Sequence, residues 1–218
     1  LIGQAGADVV ISNSHSSGIV QGMNSVGGLV GYLDFQVILS KSYSTASVVG
    51  AQKVGGLVGE AFVFATIQNS FSTGSVQGTS RVGGILGASA NINVLYSNFS
   101  SSLVSGDTNV GGLIGYSSND DTVNNMYWAT DTTTQATSVE SSDANSYVGL
   151  NVTDMKCATA SDTSCAAGVT IFNDWDAAVW DFGSTDQLPG LVINGVIHRD
   201  SDGDGSLDSI DAFPLVHI

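Results

Sequence analysis

The sequence repeats one glycine-rich phrase at a constant spacing of 28 residues. The phrase consists of valine, two glycines, two aliphatic residues and a further glycine, and it occupies 26–31, 54–59, 82–87 and 110–115. The same period returns a column of rings at His15, Tyr43, Phe71, Phe99 and Tyr127. A fixed period of this size indicates a stacked-coil architecture, because each unit buries its apolar side chains only against its neighbours.

The residues between the glycines indicate strands. The apolar runs are short, rich in β-branched residues and bounded by Gly, Asn and Ser, whereas helices need longer runs with a 3.6-residue period. The sequence therefore predicts an all-β fold, a right-handed parallel β-helix (β-solenoid) of about four and a half coils. Each coil would hold three strands of about four to six residues and stack on the next at about 4.8 Å. We expect the apolar and aromatic columns to fill the interior and the glycine columns to mark corners, where a positive φ or a close backbone approach is needed.

Residues 1–128 resemble the GLUG-motif family, which is named for its Gly-Leu-x-Gly signature. Each unit reads roughly VGGLVG, then IxNS[YF]STG and then VxG, and the last two parts are IQNSFSTGSVQG at 67–78. The resemblance implies secretion to the bacterial cell surface, since adhesins, haemagglutinin-like proteins and some large surface proteases carry such repeats. In those proteases the repeats are not the catalytic part, so the resemblance implies a structural or adhesive role.

One segment departs from this resemblance. The family is usually polar after the second glycine pair, but the second unit carries Leu33 and Phe35 there and the third carries Phe62 and Phe64. A contiguous exposed apolar surface usually marks an interface, so these four residues are candidates for self-association into a fibre. The alternative is that a loop or the C-terminal module folds back over them.

A second column at the same period consists of hydroxyl residues, namely Ser16–Ser17, Ser44–Thr45, Ser72–Thr73 and Ser100–Ser101. A flat hydroxyl face would be similar to an ice-binding surface, but such surfaces need regular Thr-x-Thr rows. The sequence favours turn residues that bond the local backbone.

The repeat ends near Trp128, and 129–197 predicts a loop followed by a capping module. An open solenoid end is a row of strand edges that would pair with another chain, and a cap blocks it. The aromatic residues of this region would form a small core or, alternatively, a platform on which sugars stack; they are Phe172, Trp175, Trp180 and Phe182.

The only two cysteines, Cys157 and Cys165, lie eight residues apart in this module. An oxidising compartment would join them in a disulfide. The alternatives are two free thiols or half of a metal site, although no histidine or further cysteine is nearby in the sequence to complete one.

The final segment, 198–218, predicts a calcium-binding linker. Acidic residues at positions 1, 3, 5, 9 and 12 with glycine at position 6 give the spacing of a calcium loop. The expected Ca²⁺ ligands are Asp200, Asp202, Asp204, the Ser206 carbonyl, Asp208 and Asp211. The segment resembles a single thrombospondin type 3 repeat, and the alternative is a solvated acidic linker.

The charge balance restricts the partners. Five basic residues against twenty acidic ones give a net charge of −15, which argues against nucleic acid and anionic membrane surfaces and favours divalent cations. No stretch of the sequence is long and apolar enough to insert into a membrane.

No catalytic motif is present, since the histidines are scattered and the sequence contains neither GxSxG nor a zinc motif nor a P-loop. We therefore expect a non-enzymatic extracellular rod or fibre subunit that calcium stabilises. A carbohydrate-binding module is the alternative. A β-helix polysaccharide-cleaving enzyme, with Asp174, Asp176 and Asp181 as candidate carboxylates, is the third interpretation.

Overall fold

The structure is a computed structural model, and it describes residues 1–91, 93–118, 120–139, 147–156, 171–172, 174–184 and 186–215. It confirms an all-β parallel solenoid with coils of 28 residues, followed by a small antiparallel sheet. Each complete coil has five short strands rather than the three longer ones expected from the sequence.

The first coil consists of β1 (Ile2–Ala5), β2 (Val10–Ser12), β3 (His15–Ser16), β4 (Ile19–Gln21) and β5 (Asn24–Gly27). The second consists of β6 (Val30–Leu33), β7 (Ile38–Ser40), β8 (Tyr43–Ser44), β9 (Ser47–Val49) and β10 (Gln52–Gly55). The third consists of β11 (Val58–Ala61), β12 (Thr66–Gln68), β13 (Phe71–Ser72), β14 (Ser75–Gln77) and β15 (Ser80–Gly83). The fourth consists of β16 (Leu86–Ser89), β17 (Val94–Tyr96), β18 (Phe99–Ser100), β19 (Leu103–Ser105) and β20 (Thr108–Gly111).

The fifth coil is incomplete and holds β21 (Ile114–Ser117), β22 (Thr122–Asn124) and β23 (Met126–Ala129). The remaining elements are α1 (Thr130–Thr133), β24 (Tyr147–Leu150), α2 (Val152–Met155), β25 (Trp180–Asp181), β26 (Gly190–Ile193) and β27 (Val196–His198). Among the described residues, no helix is long and apolar enough to cross a membrane.

Equivalent strands of successive coils pair in parallel and form five ladders. The register is the sequence period itself, because Val26, Val54, Val82 and Val110 lie opposite one another. The antiparallel sheet is separate and consists of β25, β26 and β27. Side chains at equivalent positions of the repeat therefore stack above one another along the solenoid.

Two of the corners in each complete coil contain left-handed residues other than glycine. One column of left-handed residues, with φ between 47° and 52°, consists of Asn13, Lys41, Asn69, Ser97 and Asn125. A second set lies between the first two strands of each complete coil, with φ between 55° and 64°, and consists of Asp8, Gln36, Phe64 and Asn91. These two corners separate the first three strands of each complete coil, which is one reason why the three longer strands are absent.

The glycine columns serve close packing of backbone against backbone. A Cβ atom on Gly56 would lie 2.1 Å from both the Gly84 carbonyl oxygen and the Ser72 Oγ. Of the two reasons the sequence offered for these glycines, close approach is the one the structure supports, since Gly18 is the only described glycine of the solenoid with a positive φ.

Aliphatic ladders fill the interior of the coils. Leu29, Leu57, Ile85 and Leu113 are fully or almost fully buried there. Leu33 also belongs to this core and has no exposed surface. Its predicted place in an exposed interface is therefore wrong: Val30 and Leu33 of β6 both join the interior cluster, and Tyr32 between them is only partly buried.

The aromatic column faces outward, which corrects the expectation that it fills the coil. Ser72 packs inward against Gly56, so the preceding residue, Phe71, points to the opposite face of β13. The rings of Tyr43, Phe71 and Phe99 stack at 4.9 and 5.1 Å between centroids. Trp180 contacts this stack at 5.9 Å from Phe99, and the C-terminal module thus covers the side of the solenoid as well as its end.

Two segments close the C-terminal end of the solenoid. β24 pairs in parallel with β23, and Val139 forms a parallel bridge with Ile114. Trp128 takes the place of the inward serine column and is almost completely buried. Its Nε1 donates to the Gln135 carbonyl oxygen at 3.0 Å, so the cap predicted from the sequence is formed partly by an indole.

The glycine columns generate the first prediction. Gly59→Ala should lower the free energy of unfolding by about 3 kcal/mol, because its Cβ would lie 2.3–2.4 Å from the backbone of Ser25 and Val26. Gly3→Ala is the matched control, since it belongs to the same column but has no atom within 4 Å of the added Cβ. Denaturant unfolding measures both variants, and equal losses would contradict the close-packing argument.

A second prediction concerns the module on the aromatic column. Trp180→Ala should cost about 3–5 kcal/mol, because the indole is fully buried against the rings of the solenoid. Phe213→Ala is the control, since that ring is mostly exposed. Limited proteolysis should release the module from the Trp180 variant first, and an unchanged cleavage pattern would contradict this packing.

Candidate cation site between the acidic loop and the solenoid

The acidic loop at 199–211 packs against the hydroxyl column instead of extending away as a linker. Thr73 Oγ1 donates to Asp200 Oδ2 at 2.6 Å, and Thr45 Oγ1 donates to the Gly205 carbonyl oxygen at 2.8 Å. These two threonines are equivalent residues of the second and third coils. The hydroxyl column therefore holds the loop, a role beyond the local turn bonding expected from the sequence.

The residues before the loop anchor it to the rest of the module. Arg199 is buried and forms an ion pair with Asp181. The Tyr43 hydroxyl and His198 Nδ1 lie 3.0 Å apart in a hydrogen bond. Burial raises the pKa of Tyr43 to about 12, while burial and the neighbouring His15 lower the pKa of His198.

Three carboxylates converge within the loop. Asp200, Asp202 and Asp204 each offer an oxygen, and these oxygens all lie within 4.8 Å of one another. Two oxygens on opposite sides of one Ca²⁺ ion are about 4.6–5.2 Å apart, because calcium–oxygen distances are about 2.3–2.6 Å. The spacing of these three carboxylates thus fits a hard cation. In the part of the chain that the structure describes, no other group of three or more such side chains converges.

Asp200 is the most buried of the three, with 1% of its surface exposed. Its carboxylate accepts hydrogen bonds from the backbone of Gly203 at 2.8 Å and of Gly205 at 3.3 Å. Burial, together with the nearby charges of Asp202 and Asp204, nevertheless raises its pKa to about 6, against the opposing effects of the Thr73 and Gly203 hydrogen bonds. An ionised Asp200 is therefore costly here unless a positive charge lies beside it.

The other three predicted ligands are used differently. Asp208 accepts hydrogen bonds from both the backbone and the hydroxyl of Ser201, each at 2.7 Å. Asp211 accepts from the Phe213 backbone at 2.9 Å. Ser206 donates its backbone N–H to Asp204 at 2.7 Å. The structure thus brings three of the six predicted ligands together, and the remaining three shape the loop around them.

Ser101 is a candidate site residue that the sequence reasoning did not single out. It continues the hydroxyl column into the fourth coil, and its Oγ is buried without a hydrogen-bond partner. A cleft of about 290 Å³ beside it is also lined by Asp131, Asp202 and Gly203. A buried hydroxyl without a partner is costly, and this one lies where a cation or its water would supply the missing bond. The column position was visible in the sequence, but nothing there indicated that the loop folds onto it.

The other candidate residues lie elsewhere. Trp175 and Trp180 are buried in the core of the module and form no exposed sugar platform. Phe35, Phe62 and Phe64 remain exposed. Cys157 and Cys165, the predicted disulfide, lie outside the described residues.

Residues 50–77 match the family described as "The GLUG motif". A crystal structure from Bacteroides ovatus, described as "a putative immunoglobulin A1 protease", is similar to this chain with a TM-score of 0.61 and 23% sequence identity. The similarity covers 80% of this chain and 55% of that chain, so the chain spans about half the length of that protein. At this identity the similarity shows the fold alone. No curated protein sequence gives a significant match.

Proposed function

We propose that this chain is a non-enzymatic structural segment of a bacterial surface protein, a rigid extracellular rod stiffened by calcium. The observation that carries the proposal is the convergence of Asp200, Asp202 and Asp204 where the acidic loop meets the hydroxyl column. A cation held there would join the C-terminal module to the second, third and fourth coils. The three carboxylates would supply the ligands, and the ion would supply the positive charge that the buried Asp200 needs.

The segment functions as a spacer or display element rather than as a subunit that stacks end to end. A further coil would pair with the strand edges of the last coil, and β24 and Val139 cover the edges of β23 and β21 there. The GLUG match at 50–77 supports a surface location by analogy with the proteins that carry such repeats. The similarity to a longer solved chain is consistent with a segment inside a larger protein.

The calcium proposal predicts a thermal shift. At 10 mM Ca²⁺ the melting temperature should rise by roughly 3–10 °C over its value in chelator, since extracellular calcium modules bind at about 10⁻⁴–10⁻³ M. Asp202→Asn with Asp204→Asn should abolish the shift, because it removes two of the three converging carboxylates. An equal rise in that double variant would contradict the assigned site.

The contact between the loop and the solenoid gives a separate prediction. Thr73→Val should cost about 1.5–3 kcal/mol, the value of a hydrogen bond to a charged group, because it removes the bond to Asp200. It should also weaken calcium binding measured by calorimetry. Thr108→Val is the control, since that side chain is exposed on β20. Equal calcium affinity in both variants would show that the hydroxyl column does not support the site.

Electron microscopy tests the structural role. Single rods of constant length, both in calcium and in chelator, are expected of a display segment. Filaments that form only in calcium would instead favour a fibre subunit.

A further inference from the structure

Four aromatic side chains form a patch on one corner of the second and third coils. This aromatic patch consists of Tyr32, Phe35, Phe62 and Phe64. Phe35 and Phe64 make an edge contact at 5.6 Å between ring centroids, and Tyr32 stacks near Phe62 at 6.2 Å. The three phenylalanines are 39–45% exposed. The C-terminal module packs on the aromatic column instead, so the described part of the chain leaves these rings accessible.

Phe64 occupies a backbone conformation that does not suit it. Its φ is 55°, and the equivalent residues of the preceding coils, Asp8 and Gln36, have φ values of 61° and 57°. A bulky residue in this left-handed region is an outlier, whereas Asn and Asp adopt it more readily. The ring makes no contribution to the buried clusters. Its presence is therefore not explained by stability, and strained residues of this kind concentrate at ligand sites.

The size of the patch selects among possible occupants. Exposures of 39–45% leave roughly 200–300 Å² accessible on the three phenylalanines together, since an aromatic side chain has about 150–250 Å² of surface. A stable protein interface needs about 800 Å² on each partner. A second copy of this chain would therefore gain too little from the patch, whereas one or two sugar rings would cover it.

The groups around the rings are polar and carry negative charge. Asp34 Oδ1 accepts a hydrogen bond from the Phe35 backbone at 2.9 Å, and Gln4 Nε2 reaches Asp34 Oδ2 at 3.5 Å. Burial, followed by the charges of Asp34 and Glu60, raises the pKa of Tyr32. Lys53 forms an ion pair with Glu60 at 2.7 Å, so Asp34 supplies the net negative charge beside the rings. Carboxylate and amide groups beside exposed rings suit sugar hydroxyls, and this charge disfavours anionic ligands.

We propose that the aromatic patch binds a neutral oligosaccharide, whose C–H faces stack on Phe62 and Phe64 while its hydroxyls bond to Asp34 and Gln36. The electron-rich face of an aromatic ring attracts the weakly positive C–H groups of a pyranose. Phe62 and Phe64 lie two residues apart in the turn between β11 and β12, and each contacts a ring of the second coil. The two contacting pairs offer two stacking surfaces for successive sugar units. This binding would add a ligand to the rod proposed above, and it does not depend on calcium.

The test is calorimetric titration of the full chain with cellohexaose, maltohexaose, mannohexaose and a β-1,3-linked glucohexaose. A hyaluronan hexasaccharide serves as the anionic comparison. At least one neutral hexasaccharide should bind, and the anionic one should bind at least tenfold more weakly. No binding by any neutral member, or preferred binding of hyaluronan, would overturn the proposal.

Two variants and a control assign the surface. Phe62→Ala and Phe64→Asn should each weaken binding by roughly tenfold or more. Phe64→Asn should unfold at the same or a higher temperature, because asparagine suits the left-handed backbone; loss of binding in a stable protein separates recognition from folding. Met23→Ala removes a more exposed apolar side chain from another corner, between β4 and β5, and should leave affinity unchanged. Unchanged affinity in both phenylalanine variants, or a dimer in light scattering that they abolish, would overturn the proposal.

Discussion

Every part of this structure depends on the constant length of the coil. Because each coil has 28 residues, Val54 lies over Val26 and Gly55 lies over Gly27, and the same register continues through Val82. Close backbone packing then becomes possible only if the residue at each tight position is glycine in every coil. A single insertion would shift one coil against its neighbours and place side chains where the backbones meet. Close packing between the coils thus requires the repeat to keep a constant length.

The same register produces the surfaces on which the C-terminal module lies. A column that is aromatic in each coil becomes a continuous stack, and Trp175 and Trp180 pack against it. A column that carries a hydroxyl in each coil becomes a row of donors, and the acidic loop binds to it. Stacking therefore turns one type of residue into an extended surface, because that type returns at the same position of each coil. The module packs on these surfaces.

Much of this fold could be predicted from the sequence, because periodicity fixes which residues stack whatever the details of the coil. Whether each column faces the interior or the outside of the coil could not be predicted. Phe71 and Ser72 are adjacent, and either could face inward; the small space beside Gly56 admits the serine and excludes the ring. The number of strands exceeds the expectation because residues such as Gln36 and Lys41, which do not normally indicate turns, adopt left-handed conformations between strands. Leu33 lies in the interior beside exposed aromatic neighbours, because β6 departs from strict two-residue alternation and turns both Val30 and Leu33 inward.

The acidic residues of the candidate cation site could be predicted from their spacing in the sequence. The contact between their loop and the solenoid could not. The loop pattern identified Asp200, Asp202 and Asp204, but long-range packing decided that Asp200 lies against Thr73 and that Ser101 lines the adjoining cleft. One consequence follows from the loop's contact with equivalent positions of consecutive coils. The loop runs parallel to the axis of the solenoid along one side. Bending that separates the coils on that side must stretch the loop, while bending in the opposite direction only relaxes it. The solenoid should therefore have different bending stiffness in different directions. The acidic loop marks the stiffer side.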